Sequence, residues 1–319
     1  MIDLEVKRIT DRSLIMDGIE FWNGLYPSFS ISQQLLGQNI FAPFNHLAVE
    51  GLAGFIGGEM VALGLCKYLL SDVGGLDPGE GWISLLGVKN LGGRQEEAED
   101  FLGAAENLLQ ERGVTRIRFA GDPQCFFPGL PRGLKEYEPI LTARDFQPVA
   151  VVYDLYRDLQ AFQPAADWLR DDLKLRRVGK EREKEFLKFL QDNFPPRWYY
   201  EADSIRRWPG GIEDYRFLSY QGEIAGFARI NKPASTFWGP NMNWGWKWGV
   251  EHCGLGPLGI GQGFRGRGMS LFLIAQSMME LQAEGFRHLI VDWTDQLDFY
   301  ARFGLNICQE YTCYRKELQ

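Results

Sequence analysis

Histidine is scarce, with three in 319 residues. The five cysteines, at 66, 125, 253, 308 and 313, include no C-x-x-C pair, and Cys308 and Cys313 have no histidine beside them. Ligand spacing for zinc is therefore missing, and no metal is expected. An odd number of cysteines in a long chain points to reduced thiols and a cytoplasmic location. Basic residues are also in deficit, 34 Lys and Arg against 42 Asp and Glu, for a net charge of -8. Affinity for nucleic acid rests on clustered Lys and Arg neutralising phosphates, so no nucleic-acid partner is expected. No uninterrupted apolar run approaches the roughly 18 residues that span a bilayer. The opening Met-Ile-Asp-Leu-Glu-Val-Lys-Arg lacks the basic, apolar, small-residue order of a signal peptide. These absences predict a soluble protein with no membrane partner and no export signal.

What is present suits a globular chain. Apolar residues make up 45% and charged residues 24%, which argues against disordered and fibrous classes. The length favours two domains of about 150 residues each. An internal repeat agrees. L-E-V-K-R-I at 4–9 matches L-K-L-R-R-V at 173–178, and G-E-M-V-A-L-G at 58–64 matches G-E-I-A-G-F-A at 222–228. L-G-V at 86–88 then pairs with L-G-I at 258–260, and T-A-R-D-F-Q at 142–147 with Y-A-R-F-G-L at 300–305. Each half reads as a strand, one or two helices, a hairpin, a third strand, a turn, a long helix, a strand, a short helix and a closing strand. That is a mixed α/β plan. The stretch 158–168 has a proline and no clear period, so the joint is placed near Gln163, with domains at 1–160 and 165–319.

The most informative stretch is C-G-L-G-P-L-G-I-G-Q-G-F-R-G-R-G-M-S-L-F-L-I at 253–274. A strand ending at Ile260 enters a glycine turn, and from Met269 the apolar residues recur with helical spacing through Leu281. A glycine-preceded helix N-terminus offers free N–H groups and the positive end of the helix dipole, a seat for pyrophosphate. Gly266 and Gly268 admit positive φ and let backbone approach an anion, and Arg265 and Arg267 add charge. The bland alternative is that the glycines merely turn a strand into a helix. Gly261, Gly263 and Gly266 formally spell G-x-G-x-x-G, yet the position about 20 residues on, where an acid to hold a ribose would be needed, is Phe286. The turn also lacks the Lys and Ser/Thr of a P-loop.

This segment resembles the GNAT superfamily of N-acyltransferases, whose signature is [QR]-x-x-G-x-[GA] between a strand and a helix. Gly263 stands where that family has Gln or Arg; Phe264 to Gly268 fit. F-Y-A-R-F-G-L at 299–305 matches the family's later helix, in which a Tyr shortly precedes a Gly. The resemblance is clear over 173–319 and faint over 1–159. It implies two GNAT-like domains in tandem, with acetyl-CoA as cosubstrate held by the second. The pyrophosphate would lie on Arg265, Gly266, Arg267, Gly268, Met269 and Ser270, and the pantetheine arm along Leu258, Gly259 and Ile260. In the first half, Arg94, Glu96 and Glu97 take the places of Gly266, Gly268 and Met269. Acidic residues there repel a pyrophosphate, so that domain reads as degenerate and structural.

The same resemblance implies acetyl transfer to a primary amine of a small molecule by direct attack in a ternary complex. Tyr300 takes the role of acid beside the CoA sulfur, against the alternative of a core aromatic. Glu251 and His252, which precede the CoA strand, are candidates for the base, against that of a solvated acid and a satisfied histidine. Asp292 and Asp295 are held in reserve. The run V-D-W-T-D-Q-L-D-F-Y looks like acetyltransferase domains joined to cell-wall amino-sugar hydrolases, which points to an amino-sugar acceptor. Tyr199, Trp208, Trp238 and Trp246 are candidate substrate contacts, in an aromatic wall or, on the rival reading, a satellite core. The rival function is a noncatalytic acyl-CoA-binding regulatory protein.

Overall fold

The computed structural model describes residues 4–318, the side chain of Trp246 excepted. The first part of the chain runs β1 (Glu5–Ile9), α1 (Arg12–Leu25), α2 (Gln33–Leu36), β2 (Leu47–Ile56), β3 (Glu59–Leu69), β4 (Glu80–Val88), α3 (Gln95–Glu111), β5 (Arg116–Phe119), β6 (Leu130–Pro131), α4 (Glu138–Ala143) and β7 (Gln147–Asp158). The second runs β8 (Leu173–Arg177), α5 (Glu183–Asn193), α6 (Pro196–Ile205), β9 (Tyr215–Tyr220), β10 (Glu223–Asn231), β11 (His252–Ile260), α7 (Met269–Ala283), β12 (His288–Thr294), α8 (Leu297–Ala301) and β13 (Asn306–Glu317). The fold is the mixed α/β plan expected from the repeat. Among the described residues, no helix is long and apolar enough to cross a membrane.

Local chemistry sets several boundaries. Asp11 caps α1 by accepting from the N–H of Leu14 at 2.9 Å. α3 carries Glu96 and Glu97 in its first turn, where the helix dipole favours negative charge. α7 instead begins after Gly268 with no acid in its first turn. It packs Met269, Leu273, Ile274, Met278 and Leu281 into the core of the second unit.

The chain forms two compact units, but they are not the two linear halves expected at 1–160 and 165–319. One unit comprises residues 1–152 with 310–319, the other residues 153–309. In the first, strands follow the order β1-β2-β3-β4-β5, and the end of β13 closes the sheet, with Tyr314 opposite Phe119 and Glu317 opposite Arg116. In the second, the order from the far edge is β8-β9-β10-β11-β12, and the end of β7 closes it, with Leu155 opposite Val291 and Asp158 opposite His288. The closing strands are exchanged. Reading along the chain assigns each strand to its own half, while the ladder pairs its end with the other.

Candidate active site

The site grows from a failure of two neighbouring strands to stay paired. β11 and β12 run parallel and pair only at His252–His288, Cys253–Leu289 and Gly254–Ile290. Past that point both are bulged. On β11 the register jumps from Ala228–Leu258 to Ile230–Leu255, which places two residues, Gly256 and Pro257, against Arg229 alone. On β12 it jumps from Val291–Leu155 to Thr294–Tyr153, which places Asp292 and Trp293 against Asp154. Bulges bend and twist a strand, and Pro257 has no N–H to give to a ladder. Trp293 takes a φ of 49° and donates its N–H to Asp154 Oδ1 at 3.1 Å. Asn241, from the loop between β10 and β11, sits in the resulting gap. Its Nδ2 donates to Asp292 Oδ1 at 2.7 Å and to the Gly256 carbonyl at 3.4 Å.

A cleft of about 680 Å³ opens along the parted end of β11 and the turn before α7. Leu258, Gly259, Ile260, Arg265, Gly266, Gly268, Met269 and Ser270 all line it. Gly266 and Gly268 have φ of 75° and 72°, and a Cβ on either would meet nothing within 4 Å. The left-handed backbone, not crowding, is what selects glycine there. In the first turn of α7 the Leu271 N–H donates to the Gly268 carbonyl at 3.2 Å, and a helix start of this kind favours an anion. Arg265 donates Nε to the Ile260 carbonyl at 3.1 Å. Arg267 departs from expectation and does not line the cleft. Its guanidinium lies 5.9 Å from the centre of the Phe264 ring, and its carbonyl accepts from Arg170 Nη1 at 2.6 Å.

A second cleft of about 370 Å³ shares Trp198, Leu258, Gln296 and Tyr300 with the first. It adds Arg197, Glu201, Arg229, Asp292, Trp293 and Asp295. Arg197 lies 4.1 Å from the centre of the Trp293 ring and pairs with Glu201 at 2.5 Å. Tyr300, on α8, is 7% exposed. Burial and the neighbouring Asp292 charge raise its phenol well above the ordinary range, so it keeps its proton. Burial pushes Asp292 up to about 6, while the Asn241 amide pulls the other way. Asp292 is thus ionised at neutral pH, yet basic enough to accept a proton.

Several expected residues lie elsewhere. His252 belongs to the closed end of the β11–β12 pair, about 13 Å along the strand from Gly256 at ~3.3 Å per residue. It is 2% exposed, and burial lowers it to about 4. Its Nε2 is 2.8 Å from the Asn241 carbonyl and its Nδ1 3.2 Å from the His288 carbonyl, so both ring nitrogens face backbone acceptors. His252 thus braces the loop before β11 and lines neither cleft. Glu251 is exposed at the same end, and its carbonyl accepts from the Arg287 N–H. Trp208 packs edge-on to Phe237, Trp238 donates Nε1 to the Pro233 carbonyl, and neither they nor Tyr199 line the two clefts. The side chain of Trp246 lies outside the described residues. The aromatic surfaces of the site are instead Phe194, Trp198, Phe264, Trp293, Phe299 and Tyr300.

No family sequence profile matches the chain, and no curated protein sequence does. Solved structures do. The GCN5-related glucosamine N-acetyltransferase region of a fungal multidomain GH3 β-N-acetylglucosaminidase matches with a TM-score of 0.87 at 18% identity, over 99% of this chain and 38% of that one. The chain thus spans little more than a third of that enzyme. A tandem GNAT protein from the clavulanic acid biosynthesis pathway matches with a TM-score of 0.68 at 12% identity, over 99% and 98% of the two chains. A GCN5-related N-acetyltransferase from Sphaerobacter thermophilus gives 0.67 at 14% identity, over 98% and 95%. At these identities the likeness is one of fold, and that fold is the tandem form of the GNAT acetyltransferases.

Proposed function

We propose that the second unit transfers an acetyl group from acetyl-CoA to the primary amine of an amino sugar, by direct attack within a ternary complex. The observation that carries this is the meeting of two clefts at Leu258 and Tyr300, one ending in the glycine turn and the other holding Asp292. The larger suits a phosphorylated, amide-bearing cosubstrate. Its turn offers backbone N–H groups, and the free stretch of β11 offers a strand edge to the pantetheine amides.

In the reaction, Asp292 takes a proton from the acceptor ammonium, and the neutral nitrogen forms a C–N bond to the thioester carbonyl. When the tetrahedral adduct collapses, the C–S bond breaks and Tyr300 gives its proton to the departing thiolate. The amide nitrogen loses its remaining extra proton to water, Asp292 releases the proton it took to solvent, and Tyr300 is reprotonated from solvent. A base titrating near 6 suits an amine near 7.8, whose deprotonation at pH 7 costs about 1 kcal/mol. It suits an alkyl amine near 10.4 poorly, since the cost there is about 4 to 5 kcal/mol. Electron-withdrawing hydroxyls beside an amine, as on a sugar, lower its basicity in the required direction. The fungal region named for glucosamine supports the same acceptor class.

The first unit has a supporting role in this reading. β4 and β5 pair only from Glu80–Arg116 to Ile83–Phe119. Beyond that, Lys67 Nζ bonds Asp122 Oδ1 at 2.8 Å, Ser84 bonds Asp122 Oδ2 at 2.7 Å, and the ion pair is wholly buried. By the repeat, Lys67 falls at the position of Asn231, beside the gap of the second unit. The place that is a cleft in one unit is filled by an ion pair in the other. The proposal is tested by initial rates of CoA release with acetyl-CoA and amino sugars, polyamines, amino acids and peptides. Intersecting double-reciprocal lines with an amino sugar support it. Parallel lines contradict direct attack, and acetyl-CoA binding without amine-dependent release supports the binding-protein alternative.

A further inference from the structure

We infer that Asn241 is a positioning residue for this reaction: from the loop between β10 and β11 it aims the Asp292 carboxylate at the acceptor cleft and wedges open the gap through which the two clefts join. The inference rests on the reading of Asp292 as the base.

Four observations support it. First, the amide Nδ2 is spent on two atoms that flank the gap, Asp292 Oδ1 on β12 and the Gly256 carbonyl on β11. Each partner lies on one of the two bulges, just past the last paired residues, Gly254 and Ile290. Second, the loop is built to hold that amide. The Asn241 carbonyl lies 2.8 Å from His252 Nε2. Asn231 holds the residue two before it by accepting the Gly239 N–H at 3.0 Å, and its own amide reaches the Gly256 carbonyl at 3.4 Å. Third, β11 makes room, since a Cβ on Gly254 would stand 2.0 Å from Asn241 Oδ1. Fourth, that Oδ1 is buried and has no hydrogen-bond partner among the described residues, with Asn241 only 3% exposed. An unpaired buried acceptor is destabilising. A residue serving stability alone would not leave one, whereas a residue required to donate to both strands from a fixed point must accept it.

The Asn241 amide is the side-chain hydrogen-bond donor to Asp292, whose ionised form its own backbone N–H and the Arg197 charge also favour and the Glu201 charge opposes. Arg197 and Glu201 of α6 pair with each other, Arg229 of β10 donates to the Phe237 carbonyl, Asp154 of β7 accepts the Trp293 N–H, and Tyr300 of α8 is near enough for the Asp292 charge to raise its phenol. Removing the amide donor disfavours the ionised carboxylate.

The test uses the full chain with Asn241→Leu, Asn241→Asp and Asp292→Asn, read by the pH profile of kcat/KM and by acetyl-CoA affinity. The expected result is an acid limb that moves up by about one pH unit in Asn241→Leu and further in Asn241→Asp, where two carboxylates share the gap. Acetyl-CoA affinity stays within about two-fold, which shows the site folded. A limb that stays in place while activity falls equally at every pH overturns the inference and makes Asn241 a loop anchor. If Asp292→Asn keeps its activity, or the wild-type profile has no limb near 6, the Asp292 reading falls instead. The two failures are therefore distinct.

Discussion

Asp292→Asn separates catalysis from stability at one atom. The substitution keeps an oxygen to accept from Asn241 Nδ2 and removes only the charge. Burial raises the folded carboxyl from its usual 3.8 to about 6. A raised carboxyl binds its proton more tightly in the folded state, so its stabilising protonation is fully present below 3.8 and is lost as pH rises through 6. The difference corresponds to about 3 kcal/mol at pH 8, an upper figure because the carboxyl borders an open cleft. Asp292→Asn should therefore raise the stability of residues 153–309 at pH 8 by as much as about 3 kcal/mol. In melting temperature that is about 5 °C or more, and the gain should vanish near pH 4. Turnover should fall by roughly 10² to 10⁴, the scale of a lost general base. In the unmodified protein kcat/KM should drop about tenfold from pH 7 to pH 5, following the ionised fraction of Asp292. Calorimetry across pH and steady-state kinetics read both. A variant that is less stable at pH 8, or that retains activity within a few-fold, refutes the reasoning.

Tyr300→Phe removes the phenolic proton while keeping the ring; turnover should fall by about 10² or more with acetyl-CoA affinity and melting temperature nearly unchanged. A fall in melting temperature with turnover retained would make Tyr300 a core aromatic. Gly266→Glu puts a negative charge and a strained positive φ at the phosphate turn, where the space in front is open. Acetyl-CoA binding by calorimetry should be lost with the fold intact, and Arg94→Gly in the first unit should leave affinity unchanged. Lys67→Ala strands Asp122 with no exposure on either side chain of the original pair. It should destabilise the protein by about 3 to 5 kcal/mol in denaturant unfolding without altering the Michaelis constant for acetyl-CoA.

The glycine turn and the helix after it were legible because local chemistry makes them. Positive φ at Gly266 and Gly268, and the apolar face of α7, are written in adjacent residues. Tyr300 was legible through its spacing from Gly304. The exchange of β7 and β13 was not, because a strand's partner depends on distant ladder energetics. The two residues expected to supply the base lie away from the clefts for a related reason. Glu251 and His252 stand next to the CoA strand in sequence, but the parallel pair is closed at that end, and the gap opens at Gly256 and Asp292. No spacing rule announces where two strands stop pairing, although Pro257 was a clue. The tryptophans of the loop before β11 were counted as a wall by composition. The clefts instead use Trp198 and Trp293, one on a helix and one on a bulge.

The most direct test of acetyl transfer at the second unit is mass analysis of glucosamine incubated with acetyl-CoA and the purified protein. The account predicts an acetylated product formed in step with free CoA, present with the native protein and absent with Gly266→Glu. Acetyl-CoA bound by the native protein with no acetylated amine, for glucosamine or any other amine supplied, would contradict it.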